Sequence, residues 1–474
     1  MVKFFNSKFP YPRRIGLNIF LYVLFLLLLA SIASGQEIIW NHTYESERSN
    51  SLFDVQQTTD GGYIAVGNIE TSGSYSRQLL MIRTDGLGNA VWTKTYGGYG
   101  TEQGLSVKQT PDGGYVVVGN TTSYGSTFQV YLLRTNSLGD TLWAKTYGGS
   151  DYDVGSSVDL TADGGFIIAG WTYSYGAGNA DVYLIKTDSL GEVEWTKTYG
   201  GVREDMAYHV EYTFDGGYVI TGWTKSFSGM ANSNMYLIKT DSLGDTLWTR
   251  AYFPYLTNTT YAYSAQQTSD SGYVLAGWNI DSNSGLCYFY LVKTDSQGDS
   301  LWTRTYLGAY LSWGESVKQT PDGGYVVVGF TQLPEYNYEN RMFILKTTAE
   351  GDTEWTRLMR DDSLASGADA VALTSDGNYI IAGGVSRSFY EPGNSFLLKL
   401  TSSGQASLRG DLTGDEQVNI ADVIYLVNYL FKGGSAPEQP LSADANCDGI
   451  VDLGDLIYLI DYLYKKGPKP GCLF

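Results

Sequence analysis

The chain has 474 residues, 57 of them glycine and 39 tyrosine, with 50 acidic against 31 basic side chains and a formal net charge of −19. That length allows several domains, or one large repeat domain with a small companion. The charge speaks against a nucleic-acid partner, which would require a basic face, and suits an extracellular or cation-binding protein.

In chain order, Lys3, Lys8, Arg13 and Arg14 precede an apolar run from Ile15 to Ala30, followed by the small residues Ala33, Ser34 and Gly35. This order predicts a secretory signal peptide over residues 1–35, cut near Ala33 or Gly35, and with it a secreted or cell-surface location. The run is slightly long for such a segment, so an uncleaved anchor is the rival reading. No later stretch is apolar enough to span a bilayer.

Over residues 36–400 a phrase of about fifty residues recurs seven times, the signature of a repeat architecture. Its centre reads Asp-Gly-Gly-Tyr at Asp60, Asp112, Asp215 and Asp322, with variants at Asp163, Asp270 and Asp376. In the second copy, Gly104 to Thr110 reads as a first strand, Pro111-Asp112-Gly113-Gly114 as a turn, and Tyr115 to Gly119 as an apolar second strand. Tyr131 to Thr135 and Thr141 to Tyr147 follow as third and fourth strands around a second tight turn. Four short strands joined in this way predict the blade of a β-propeller.

The phase of the repeat predicts closure. Trp92, Trp143, Trp195, Trp248, Trp302 and Trp355 mark six fourth strands, while Trp40 stands alone before the first copy. Ser395 to Leu400 is a third strand with no fourth after it. Trp40's strand is therefore expected to complete the last of seven four-stranded blades, with a linear solenoid as the alternative. The seven tryptophans are expected to be structural. Lys186, Lys239, Lys293 and Lys346 alternate with apolar residues and read as solvated strand positions. Cys287, in an apolar strand, reads as a buried thiol.

Antiparallel strands put the Asp-Gly-Gly turns on one face and the longer, variable connections on the other. That second face is the expected recognition surface for a glycan or a protein. It includes Tyr124, Tyr173, Tyr175, Tyr336 and Tyr338 in the loops. Between blades lie Tyr99, Tyr152, Tyr208, Tyr255, Tyr261, Tyr310 and Trp313, with the acids Glu102, Asp151, Asp153, Glu204, Asp205 and Glu315. No catalytic residue is assigned. His42 and His209 are far apart without metal-ligand spacing, and no nucleophile elbow or phosphate-cradling loop stands out. Paired acids such as Glu204 and Asp205 or Asp361 and Asp362, or acids meeting in the central channel, would be the basis of glycoside hydrolysis.

A polar linker, residues 401–409, leads to two similar units offset by 33 residues, each an acidic loop followed by an apolar helix. Asp411, Thr413, Asp415, Gln417, Asn419 and Asp422 fill positions 1, 3, 5, 7, 9 and 12 of the first loop. Asp444, Asn446, Asp448, Ile450, Asp452 and Asp455 fill them in the second. Such spacing wraps oxygen ligands around calcium, one ion per loop and about two per chain, with Gln417 and Ile450 offering backbone carbonyls. Cys447 and Cys472 lie in this module and could close it in an oxidising compartment, subject to geometry.

These residues resemble a dockerin domain of type I over residues 410–466, leaving 467–474 as a tail. The resemblance implies calcium at the loop residues named and a cohesin-like module as partner. Loop one departs from the pattern at Glu416, where a glycine is usual. Positions 10 and 11 hold Ile420-Ala421 and Leu453-Gly454 in place of hydroxyl residues. The ring resembles secreted bacterial proteins with Asp-Gly-Gly-Tyr propeller repeats, which implies no activity. The expected whole is a secreted, non-enzymatic binding protein with a calcium-dependent docking module. A polysaccharide-active hydrolase or lyase and a structural cell-surface protein are the alternatives.

Overall fold

The computed structural model describes residues 38–71, 76–125, 127–227, 232–253, 259–281, 284–309, 311–332, 340–359, 366–385 and 393–402, then 412, 418–434, 443, 445 and 451–465. Twenty-eight strands form seven four-stranded antiparallel sheets. Six blades take four consecutive strands each. The seventh is composite: β1 (Ile38–Tyr44) pairs with β28 (Asn394–Leu400), which continues through β27 (Tyr379–Val385) to β26 (Ser366–Leu373). Trp40 pairs with Lys399 in that ladder, so the surplus strand at one end does fill the gap at the other. The ring, Ile38–Ser402, is one compact unit.

Each blade's second and third strands are buried almost throughout, and the fourth alternates between exposed and half-buried. The apolar cores lie between neighbouring blades, as where Val219 and Leu237 of blade 4 meet Leu275 and Val292 of blade 5. Every fourth-strand tryptophan packs on the aromatic residue of the next blade's Asp-Gly-Gly-Tyr phrase, with ring centroids 5.6 to 6.4 Å apart. Trp40 does so across the closure, against Tyr63. The tryptophans thus bind blade to blade through large apolar contacts, as their structural reading required.

The repeated aspartates act inside the turns. In all seven copies a threonine two residues earlier donates its hydroxyl to the aspartate. The same aspartate pairs with a cation on the third strand at 2.5 to 3.0 Å: Arg83, Arg134, Lys186, Lys239, Lys293, Lys346 or Lys399. The solvated reading of these lysines is therefore corrected. Lys186, Lys239, Lys293 and Lys346 are 2 to 4 % exposed, because a strand inside a ring is covered on both faces. The first glycine of the phrase has positive φ in six copies, and Ser271 takes that place at 67° in the fifth. The second glycine allows the cation to approach: a Cβ on Gly217 would sit 2.1 Å from the Thr240 carbonyl oxygen and 2.7 Å from Lys239 Nζ.

In the C-terminal region, helices α1 (Ile420–Lys432) and α2 (Leu453–Lys465) pack through Val423, Leu426, Leu456 and Leu459. These are equivalent positions of the two units, so the sequence offset becomes an internal pseudo-symmetry. Among the described residues no helix is long and apolar enough to cross a membrane. Cys287 is buried, and burial pushes its thiol pKa up. Cys447 and Cys472 lie outside the described residues.

Candidate functional site: the central channel and the C-terminal loops

The first strands of the blades are the innermost and touch one another around the axis: β2 (Asn50–Gln57), β6 (Glu102–Gln109), β10 (Asp153–Leu160), β14 (Asp205–Tyr212), β18 (Thr259–Gln267), β22 (Leu311–Gln319) and β26. Each is a sheet edge with unpaired backbone groups. The channel side chains satisfy part of them. Asp54 Oδ2 accepts from the Val107 N–H at 2.9 Å, Asp159 Oδ2 from Tyr212 at 2.9 Å and Glu211 Oε2 from Gln267 at 2.7 Å. Gln56 and Gln266 do the same for Gln109 and Gln319. Through these side chains four of the inner strands, β2, β10, β14 and β18, cap a neighbouring inner strand, which explains why polar residues recur there.

All seven inner strands also carry a β-bulge at the same place. A bulge re-aims one side chain, so two consecutive residues face the same side. The extra residues are Phe53, Leu105, Ser156, Tyr208, Tyr263, Glu315 and Asp369, and all line a cavity of about 500 Å³ on the axis. Glu315 and Asp369 come from adjacent blades, beside Tyr208 and Tyr263, whose rings are 4.8 Å apart. Nearer the loop face, Tyr261, Trp278 and Trp313 form a continuous stack, with centroids 4.4 and 5.4 Å apart.

The electrostatics divide the channel into two tiers. On the turn side, Lys108 and Lys318 stand among Asp54, Asp159 and Glu211, and Lys108 lies 3.5 Å from Asp159. On the loop side, burial raises the Glu315 carboxyl to about 7, with no hydrogen bond or cation among the described residues to offset it. Burial, then the charge of Glu315, pushes Asp369 well above the carboxylate range. Burial and the two lysines hold His209 far below the usual imidazole range, so its ring is uncharged.

Several sequence expectations change here. Tyr208, Tyr261, Trp313 and Glu315 are not in loops between blades; they sit on inner strands, which begin earlier than the sequence pattern indicated. Glu102, Asp153 and Asp205 are fully buried and not free for recognition. Asp153 accepts from the Gly149 N–H at 2.7 Å and Ser174 Oγ at 2.7 Å, and Glu102 and Asp205 bind their own loops in the same way. Glu204 pairs with Lys225. Tyr99, Tyr124, Tyr152, Tyr173 and Tyr175 are exposed on the loop face as expected. Tyr255, Tyr310, Tyr336, Tyr338, Asp361 and Asp362 lie outside the described residues. His42 is on β1 and His209 on the inner strand of blade 4, in different blades.

Of the twelve expected calcium positions, Asn419, Asp422, Asp452 and Asp455 are described. Asp411, Thr413, Asp415, Gln417, Asp444, Asn446, Asp448 and Ile450 lie outside. Asp422 and Asp455 are fully buried at the starts of the two helices. Asp422 accepts from the N–H groups of Leu412 and Asn419, each at 2.8 Å, while Asn419 caps α1 through the Ala421 N–H at 2.8 Å. Asp455 accepts from Asp452 at 2.9 Å, and Asp452 from Gly454. These contacts fold the end of each loop back on its helix and draw a buried carboxylate toward the loop. An all-oxygen set around such a carboxylate fits calcium. Ile420 and Leu453 at loop position 10 are 49 and 52 % exposed, and Ile424 and Ile457 one turn on are 54 and 52 %. Each helix thus presents an equivalent apolar strip.

Residues 409–464 match the family model of the dockerin type I domain. A stretch of 110 residues is 27 % identical to the regulatory protein FlaEY of Caulobacter vibrioides, covering 20 % of this chain and only 12 % of that protein. Among solved structures, the ring is similar to the Pan2 WD40 domain of Neurospora crassa, with 8 % identity, 78 and 97 % of the two chains covered and a TM-score of 0.49. A protein of unknown function from Dyadobacter fermentans gives 10 %, 77 and 99 %, and 0.46. Likeness at this level says nothing about ligand or activity. Fold and match together describe a seven-bladed β-propeller of four-stranded blades that carries a dockerin type I domain at its C-terminus.

Proposed function

We propose that this is a secreted, non-enzymatic binding protein whose ring recognises a glycan or a protein through its loop face, held in place by calcium-dependent docking to a cohesin-like module. The observation that carries the reading is how the ring's side chains are distributed. The turn-face aspartates are held by their turns and their third-strand cations, and the tryptophans by neighbouring blades. The loop face leaves Tyr99, Tyr124, Tyr152, Tyr173 and Tyr175 exposed above an axial cavity. Aromatic hydroxyls on a rigid frame suit recognition. In the docking module, calcium supplies the charge that lets the acidic loops close. Asp411, Asp415 and Asp422, with Asp444, Asp448 and Asp455, would hold the two ions together with the other loop positions. Ile420, Ile424, Leu453 and Ile457 offer the partner an apolar surface.

A glycan array and a pull-down against surface proteins, run with the whole chain and with the chain lacking residues 401–474, test the reading. Ligands retained by the ring alone support it, and a ring that binds nothing in either format refutes it. A polysaccharide-active enzyme is the second reading, favoured by the meeting of Glu315 and Asp369 in the channel. It predicts turnover of a soluble polysaccharide that Glu315→Gln abolishes.

A further inference from the structure

We propose that the loop-side tier of the channel, where Glu315 and Asp369 stand beside Tyr208 and Tyr263, receives the ammonium group of a lysine side chain presented by a partner protein. The first ground is the charge in each tier. Below, Lys108 and Lys318 face Asp54, Asp159 and Glu211, and the three carboxylates each accept a backbone N–H or an ion pair. Above, two carboxyl groups share the cavity, and among the described residues neither has a hydrogen-bond or ion-pair partner. Two carboxyls half-buried in one cavity are costly when both are ionised unless a cation joins them.

The second ground is the shape and chemistry of the approach. Tyr208 and Tyr263 bring two aromatic rings to the cavity wall next to the acids, and the face of such a ring attracts a cation. Toward the loops, Tyr261 and Trp278 of blade 5 and Trp313 of blade 6 stack on one another. A four-carbon stem against aromatic rings with its charged head held by acids is the geometry a lysine adopts. His209, one residue on from Tyr208 and within the field of the two lysines, lines the same cavity. Its Nδ1 is buried without a partner, and an uncharged imidazole offers an acceptor to a head that has only donors. The cavity that both tiers share, about 500 Å³, is of ligand-pocket size and exceeds a packing void.

The inference rests on the reading of the ring as a binding body and names the chemistry of what enters it. Calorimetric titration of the whole chain with acetyl-Gly-Lys-Gly-amide tests it, with the norleucine peptide as neutral isostere and glucosamine as the alternative amine. The lysine peptide is expected to bind at least tenfold more tightly than the norleucine peptide. Its affinity should rise several-fold from pH 6 to pH 8, as Glu315 ionises in the field of Asp369, with Tyr208, His209 and Tyr263 around it and Lys318, Lys108 and Asp54 below. Glu315→Gln and Asp369→Asn should each lose about tenfold while their melting temperatures hold or rise, which separates lost binding from lost fold. Glu315→Asp should keep part of the affinity. Equal binding of the norleucine peptide, binding of glucosamine alone, or no saturable binding of the lysine peptide overturns the proposal. Any of these leaves the broader binding reading standing if the array or pull-down still returns a ligand.

Discussion

The seven turn aspartates allow one controlled comparison, because the lysines they meet differ in what else they hold. In blade 4, Lys239 donates to Asp215 at 3.0 Å and to the Thr240 carbonyl at 2.9 Å. In blade 6, Lys346 has the equivalent two partners and a third, Glu354, at 2.9 Å. Leu247 stands where Glu354 would be in blade 4. Asp215→Ala and Asp322→Ala both remove a threonine hydroxyl bond and a glycine N–H bond inside the turn, which together cost about 1–2 kcal/mol. They differ in what is left behind. Lys239, 3 % exposed, loses its only carboxylate among the described residues, whereas Lys346 keeps one. Stranding a buried charge costs ~3–5 kcal/mol. Asp215 is itself 57 % exposed, so water reaches the gap and the stranding cost falls to roughly 1–2 kcal/mol. Asp215→Ala should therefore be the more destabilising by that amount. Denaturant midpoints at constant slope, followed by tryptophan fluorescence, measure the difference. Lys239→Met in the Asp215→Ala background should recover most of it. Equal losses for the two alanine variants would refute the assignment of the excess to a stranded lysine.

Acid should loosen the same turns. Hydrogen bonds from Thr110 first, with Arg134 and the Gly114 N–H, hold Asp112 down at about 2. At Asp163, burial works the other way, but Lys186 and Thr161 more than offset it and again give about 2. A depressed carboxylate contributes stability above its unfolded pKa and loses it on the way down to its folded one, so ring stability should drop between about pH 4 and pH 2. Glu315 has the opposite sign: its folded value near 7 means that the folded ring holds its proton more tightly than the unfolded chain does. Stability should fall by up to about 3 kcal/mol from pH 5 to pH 8, a slope that Glu315→Gln removes in thermal melts at the two pH values. Deleting residues 38–47 should expose the edge of β28 and the Tyr63 ring, and yield oligomers by size-exclusion chromatography that a peptide of Ile38–Tyr44 reverses. Calorimetry should count about two calcium ions per chain, and Asp411→Ala with Asp444→Ala should abolish the signal.

The blade count and its phase were legible because the interactions that make them are repeated in sequence. A tryptophan must meet the next blade's aromatic residue, and a tyrosine such as Tyr96 must reach the Gly139 carbonyl of the next blade's turn, 2.6 Å away. Such contacts fix spacing. The lysines were misread because period-two alternation tells one strand face from the other but not whether both faces are covered, as they are inside a ring. Glu102, Asp153 and Asp205 were misread for a related reason. An acid ahead of a strand looks solvated until the loop that folds over it, with its Thr and Ser donors, is known.

The channel residues were the least legible, and the cause is local. The bulge follows a small residue in six of the seven inner strands, Gly104, Gly155, Ala207, Ala262, Gly314 and Ala368, and Leu52 in the first. A Cβ on Gly104 would sit 2.9 Å from Leu79, so the small side chain lets the strand bend toward its neighbour, and the extra residue then turns to the axis. Small residue, variable residue, then serine and a valine is therefore a sequence signal for the axial position in blades 2, 3 and 6, where it picks out Leu105, Ser156 and Glu315. His209, Ala265 and Ala370 break it beside Tyr208, Tyr263 and Asp369. The repeat constrains every side chain that a neighbouring blade touches. The bulged residue touches the hollow instead, so it is free to differ from blade to blade. A ring that was only a durable body would have no reason to place two unpartnered carboxyls there, since serine or leucine fills the same position in blades 2 and 3 without the cost of burying charge. The excess of acid on one side of the axis is thus the strongest structural argument that the hollow is meant to be occupied.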